Sequence, residues 1–396
     1  MLTLDKVFNA QTVLKSIIRE TNVVRAYGIA PDCELYLKPE NLQITGSFKV
    51  RGSAYKIAML SDEEKKKGVI ACSAGNHAQG VALAATKNSI RSLICLPDTA
   101  PISKVEATKG FGAEVCLVEG CYDDAYKKAL ELRDSKGYTF VHPFDDENVI
   151  AGQGTIALEI LNDLDNIDAI VVPIGGGGLI SGIAYTVKQI RPSVKVYGVQ
   201  AAGAPSMFNS VKKGEIECLS GVSTIADGIA VKQPGENTFR YVSEYVDEVA
   251  LVTDDEVASA ILALVEKQKM IAEGAGATAV AAVMAGKFDL KGKRVVAVVS
   301  GGNIDVTSLS RVIDRGLLNS GRSSSLLIEL IDKPGQLKEI SSIIADCGGN
   351  VTGVHYEKGN TESVNGCFLR IEMETRDFEH VNLITKTLRD EGFKLV

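Results

Sequence analysis

Ala169-Ile170-Val171-Val172-Pro173-Ile174-Gly175-Gly176-Gly177-Gly178-Leu179-Ile180-Ser181-Gly182 is the stretch on which the fold class turns. The first four residues read as a strand buried on both faces, and the residues after the glycines read as a helix. Side-chain-free backbone between them can curl so that successive N–H groups face one anion, with the positive end of the helix behind. A phosphate group is the natural guest. The competing reading is a tight strand–helix turn, which rarely needs four glycines in a row. The spacing is not G-x-G-x-x-G, and G-x-x-x-x-G-K-[ST] is absent, which speaks against a Rossmann dinucleotide site and a P-loop.

The same alternation extends on both sides. Short apolar runs at 69–72, 92–96, 113–118, 138–141, 195–199 and 294–300 are separated by helical patterns, among them 103–109, 123–136 and 151–163. Near-continuous apolar strands separated by helices indicate an α/β fold with a parallel sheet covered on both faces. The strand order is not readable. Gly316-Leu317-Leu318-Asn319-Ser320-Gly321-Arg322-Ser323-Ser324 then reads as a linker, placed at 317–325. Beyond it the pattern is strand 326–331, helix 335–346, strands 350–357 and 367–373, helix 377–390 and strand 392–396. The order βαββαβ is the ferredoxin-like motif.

At 396 residues the chain has room for two or three domains of ~150 residues. Its 45% hydrophobic and 23% charged content exclude a disordered or fibrous chain. With 43 basic against 50 acidic residues the net charge is −7, so no nucleic-acid or anionic-membrane partner is expected. No apolar run approaches the ~18 residues of a membrane span, and no secretory leader is visible, so a cytoplasmic location is expected. Eight cysteines without a C-x-x-C pair suit a reducing compartment. Four scattered histidines and no Cys/His cluster argue against zinc, and no metal is expected.

Three further segments carry chemistry-bearing residues. Ala71-Cys72-Ser73-Ala74-Gly75-Asn76-His77-Ala78-Gln79-Gly80 sits at a predicted strand end and opens a helix. Its amides and the Ser73 and Asn76 side chains suit a carboxylate; a capped helix start is the plain alternative. Val298-Val299-Ser300-Gly301-Gly302-Asn303 is another strand end with small polar residues, and alone it reads as a turn. In Thr45-Gly46-Ser47-Phe48-Lys49-Val50-Arg51-Gly52 a lysine lies between two apolar residues. Burial there lowers an amine's pKa and makes it a nucleophile, whereas snorkelling off a core helix leaves it ordinary.

Taken together, these segments resemble the fold-type II family of pyridoxal-phosphate enzymes, and within it the threonine dehydratases. The resemblance covers residues 3–316; the remainder, with Asp332-x-Pro334-Gly335-x-Leu337 and Gly349-Asn350, resembles an ACT regulatory domain. It implies a catalytic domain over 1–320, tryptophan-synthase-β-like, of two open α/β subdomains, with the smaller (about 46–145) inserted in the larger. An ACT domain over 326–396 would follow. Lys49 would be the Schiff-base lysine and base, with Phe48 beside the cofactor. Gly175, Gly176, Gly177, Gly178 and the Leu179 N–H would hold the phosphate. Asn76 would meet the phenolic oxygen and Ser300 the pyridine nitrogen. Ser73, catalytic as well as substrate-binding, would take the substrate carboxylate with Ala74, Gly75, Asn76 and His77, and Glu273 would line the same pocket.

The activity so implied is pyridoxal 5'-phosphate-dependent elimination and deamination of threonine to 2-oxobutanoate and ammonia, and of serine to pyruvate. The ACT unit would bind an amino-acid effector, and a homo-oligomer, dimer or tetramer, is expected. Two departures narrow this. Ala74 stands where related serine racemases carry an acid/base serine, and Gln200 and Ser206 replace their cation-binding carboxylates. The alternatives are a serine-preferring dehydratase or racemase, or a catalytically silent amino-acid sensor.

Overall fold

The apolar run before Ser300 forms the strand Arg294–Val299, which pairs in parallel with Glu34–Pro39 on one side and Ala169–Pro173 on the other. Its valines are fully buried, as a strand flanked on both edges and covered on both faces requires. In a computed structural model of the protein, residues 1–357 and 366–396 are described, and the chain forms two units, Met1–Leu309 and Ser310–Val396.

The first unit contains two sheets. The larger runs Val24–Arg25, Glu34–Pro39, Arg294–Val299, Ala169–Pro173, Lys195–Ala201, Glu248–Val252, parallel apart from the first, antiparallel pair. The smaller is wholly parallel, in the order Glu114–Val118, Ser92–Pro97, Val69–Cys72, Thr139–Phe140. Three strands of the larger sheet, Val24–Arg25, Glu34–Pro39 and Glu248–Val252, escaped the sequence reading. In Glu34–Pro39 the reason is physical: its Lys38 is fully buried yet charged.

That charge belongs to a buried network. Lys38 Nζ donates to Glu159 Oε2 at 2.5 Å and to Thr21 O. The Arg51 guanidinium donates to both oxygens of Glu40, at 2.8 Å each, and to both of Glu159, at 2.5 and 2.8 Å. Two cations and two carboxylates balance, and Arg51 forks to each acid. The network ties the helix Lys49–Ala58 to the sheet strand bearing Lys38 and to the helix Glu147–Asp163. Glycines set the approach: a Cβ at Gly152 would lie 2.7 Å from the Gly52 Cα, so these two helices touch backbone to backbone.

The second unit is an antiparallel sheet, Asn350–Glu357, Gly366–Glu374, Ser323–Ile331, Lys394–Leu395, with helices Gln336–Asp346 and Phe378–Asp390. Its order is βαββαβ. The expected linker at 317–325 is corrected: the helix Val306–Asn319 and the strand Ser323–Ile331 leave only three residues between them. Ser323, Ser324 and Ser325 enter the ladder opposite Glu374, Met373 and Glu372, because backbone pairing along a nine-residue partner strand outweighs their weak strand propensity. The boundary between the units falls inside the helix rather than at residue 320. Among the described residues no helix is long and apolar enough to cross a membrane.

Candidate active site

The four singled-out segments all lie at C-terminal ends of parallel strands or just beyond, where open α/β sheets place ligands. Ser300 follows Arg294–Val299, the glycine loop follows Ala169–Pro173, and the Ser73 loop follows Val69–Cys72. Lys49 opens the helix Lys49–Ala58. Gly80 lets the helix Asn76–Lys87 rest on it: a Cβ there would lie 3.1 Å from Val50 N and 3.2 Å from the Lys49 carbonyl carbon.

Lys49 is half-buried, and its Nζ donates to Pro143 O at 2.9 Å. The ring of Phe48 lies 5.3 Å from that nitrogen, while its N–H donates to Ser300 O at 3.1 Å. Burial pulls the Lys49 amine down to about 8, and Glu273 opposes the shift. The neutral, nucleophilic amine is therefore far better populated near neutrality than for an exposed lysine. Glu273 is pushed up to about 7 by burial and then by Asp227, against the Asn76 hydrogen bond, Lys104 and Lys49.

The glycine loop is packed tightly on the side its side chains would take. A Cβ at Gly176 would fall 2.5 Å from the Phe144 ring, and one at Gly178 2.9 Å from the same residue. Gly177 has φ +96° and would press on Met207 and Thr238. Thr238 Oγ1 donates to Gly176 O at 2.6 Å, which occupies that carbonyl. None of the N–H groups of Gly175, Gly176, Gly177, Gly178 and Leu179 is spent on an acceptor among the described residues. Leu179 offers only its N–H, since its side chain is 5% exposed in the core.

Asn76 Nδ2 donates to Glu273 Oε1 at 2.6 Å, and Glu273 N donates to Gly301 O at 3.1 Å. Ser300 is buried and its Oγ donates to Ala275 O at 3.4 Å, a long bond that leaves the hydroxyl free to turn to a stronger acceptor. Ser73 Oγ accepts from Gly75 N at 3.2 Å, shaping its loop, and Ala74 packs against the apolar core.

The side chain of His77 points away from this loop. Its ring is turned into the interior, with Nε2 donating to Val141 O at 2.8 Å and Nδ1 3.5 Å from Ser53 Oγ. Only its backbone N–H, in the first turn of Asn76–Lys87, is left for a ligand. Sequence reading missed the Pro143-Phe144 segment, which touches both Lys49 and the glycine loop, and Asn303, which bonds Asn76. Asn303 ended a segment already noticed; Pro143 and Phe144 lie in a turn with no signal of their own. Gln200 Oε1 accepts from Phe208 N at 2.7 Å and Ser206 Oγ donates to Val231 O at 2.7 Å, so both are engaged in local structure. No group of three or more metal-ligating side chains occurs among the described residues.

An amine of lowered pKa, five unspent N–H groups in a glycine loop with no room for a Cβ, and a buried hydroxyl at the neighbouring strand end fit pyridoxal phosphate. These define a cofactor-dependent enzyme of fold-type II, and the chain belongs to the pyridoxal-phosphate dependent enzyme family, whose pattern matches residues 14–301. It is 48% identical over 398 residues to the L-threonine ammonia-lyase of Thermotoga maritima, spanning 100% of this chain and 99% of that one. Among solved structures, the processed form of threonine deaminase isoform 2 from Solanum lycopersicum superposes with a TM-score of 0.75 at 38% identity, over 78% of this chain and 93% of that one. Maize serine racemase superposes with a TM-score of 0.75 at 33% identity, over 80% of this chain and 98% of that one.

Proposed function

We propose that the protein converts L-threonine to 2-oxobutanoate and ammonia, and L-serine to pyruvate and ammonia. The observation that carries this reading is the half-buried Lys49 amine, bonded to Pro143 O next to the Phe144 that packs on the glycine loop, in a chain alike from end to end to a protein named L-threonine ammonia-lyase. Pyridoxal phosphate, when bound, supplies an electrophilic carbon and a sink for the electron pair left at Cα.

The chain's own residues do the rest. The N–H groups of Gly175–Gly178 and Leu179 would bind the phosphate. Lys49 would hold the cofactor until the substrate amine displaces it, and its freed Nζ would then accept the Cα proton. Ser73 Oγ and the amides of Ala74, Gly75, Asn76 and His77 orient the substrate carboxylate, and Glu273 lines the pocket beside Asn76. Ser300 would offer the pyridine nitrogen a neutral hydroxyl, which would moderate electron withdrawal and suit prompt loss of the β-hydroxyl. Ala74 has no proton to exchange on the opposite face, so elimination is favoured over racemisation. The C-terminal βαββαβ unit supports the reading of an ACT domain that binds an amino-acid effector in a homo-oligomer.

Lys49→Ala tests the reading. It removes nucleophile and base together, so 2-oxo acid formation from threonine should fall by several decades, about 10³-fold or more. Borohydride reduction of the wild-type holoenzyme should leave the cofactor's mass on the peptide containing Lys49. Retained activity in the variant, or a label on another lysine, would overturn the assignment.

A further inference from the structure

Asn76 has two side-chain ends of similar shape and opposite hydrogen-bonding sense, and both are held. Its Oδ1 accepts from Asn303 Nδ2 at 2.6 Å, and its Nδ2 donates to Glu273 Oε1 at 2.6 Å. A carboxamide can turn end for end at little steric cost, so its neighbours decide which end lies where. Asn303 is itself oriented by a group with no such freedom: its Nδ2 donates to Thr45 O at 2.7 Å, and a backbone carbonyl only accepts. The surrounding turn is shaped around this side chain. Gly46 has φ +71°, and a Cβ there would lie 2.2 Å from Asn303 Oδ1, while Gly302 N donates to Gly46 O at 2.9 Å.

The sense of one backbone carbonyl is thus passed along a chain, from Thr45 O to Asn303 Nδ2, and from Asn76 Oδ1 to the far end of the same carboxamide. That end carries two N–H groups. One goes to Glu273, and the other has no acceptor among the described residues.

We propose that Asn303 is a positioning residue of the active site, holding the Asn76 carboxamide so that an N–H, and not the oxygen, meets the cofactor's phenolic oxygen. The proposal rests on the reading above in which Asn76 contacts that oxygen. With Asn303 reversed in sense, Asn76 turns, and its oxygen lone pairs face another oxygen; with Asn303 absent, Glu273 alone is left to hold the carboxamide.

Asn303→Asp keeps the shape and replaces the donor by an acceptor, so it drives Asn76 to turn; Asn303→Ala removes the hold without reversing it. In the holoenzyme, Asn303→Asp should shift the cofactor's visible absorption band and lower kcat for threonine about 10-fold or more, with KM changed by less than about 3-fold. Asn303→Ala should move the band the same way by less, and serves alone if the aspartate variant does not fold. In Asn303→Asp with Glu273→Gln, the new amide donates to the turned Asn76 oxygen. Thermal stability should then recover while the shifted band remains.

A lowered Tm with a wild-type band and wild-type kcat in the Asn303 variants would overturn the proposal, leaving Asn303 a structural role. So would recovery of the wild-type band in the double variant. Asn76→Ala separates the two levels. If it leaves the band unmoved, the reading of Asn76 fails and the proposal with it; if it moves the band while both Asn303 variants do not, only the proposal fails.

Discussion

The His77 ring, 3% exposed, is held at about 3 by burial first and then by the Lys49 charge, against the pull of its bond to Val141 O. The sign of the resulting pH dependence follows from the two states. Above the ordinary value of 6.5 the ring is neutral folded and unfolded, and contributes nothing to pH dependence. Below it, the unfolded chain takes up a proton that the folded ring refuses, so stability falls by up to about 1.4 kcal/mol per pH unit. The loss continues down to the folded value near 3. His77→Gln should therefore flatten the decline in urea midpoint between about pH 6.5 and about pH 4 relative to wild type; an unchanged slope would place the acid sensitivity elsewhere. The adjacent Asn76 was legible as a candidate because Ser-Ala-Gly-Asn-His sits at a strand end. That the neighbouring ring faces inward was not, since a motif lists residue types and says nothing of which side of the helix start each one takes.

Among the elements, the glycine loop and the Lys49 helix show two kinds of constraint. The loop was readable because only glycine satisfies it, and the reason is now specific: Phe144 and Thr238 occupy the space that side chains would need. Gly176→Ala should force the Phe144 ring aside and weaken cofactor binding by about 10-fold or more, measured as Kd from absorbance titration. Stability without cofactor should fall by only about 1–3 kcal/mol, the usual cost of an overpacked site. Equal loss of stability and no loss of affinity would mean the loop is merely a tight turn. The Lys49 helix is held from behind by Arg51, Glu40, Glu159 and Lys38, drawn from positions up to 121 residues apart. No spacing rule links them. Lys38 even disguised its strand, because a charged residue in an apolar run lowers the strand signal unless its partner is known.

For the whole molecule, the division into Met1–Leu309 and Ser310–Val396 assigns every group of the proposed chemistry to the first unit. Chain ended after Asn319 keeps the helix Val306–Asn319 intact and removes the sheet of the second unit. Such a truncation should retain threonine turnover within about 3-fold while losing any change in KM or kcat on titration with amino acids. Intact amino-acid responses in the shortened chain would refute the regulatory reading of the second unit. The shift of the linker from 317–325 to three residues came from pairing: Ser323, Ser324 and Ser325 look like loop in isolation and become strand because a long partner lies alongside.

From its amino acids alone, this chain determined an α/β unit followed by a βαββαβ unit, and singled out the Gly175–Gly178 loop and Lys49 as the candidate phosphate cradle and nucleophile. Those features rest on local rules, namely periodicity, glycine's lack of a side chain, and short motifs that hold their meaning wherever they occur. Tertiary structure alone decided the sheet order, the buried charge network, the inward turn of His77, the lowered amine of Lys49 and the chain from Thr45 through Asn303 to Asn76. Each of these depends on desolvation or on hydrogen bonds between groups far apart in sequence, and such energies exist only once the fold has brought the groups together.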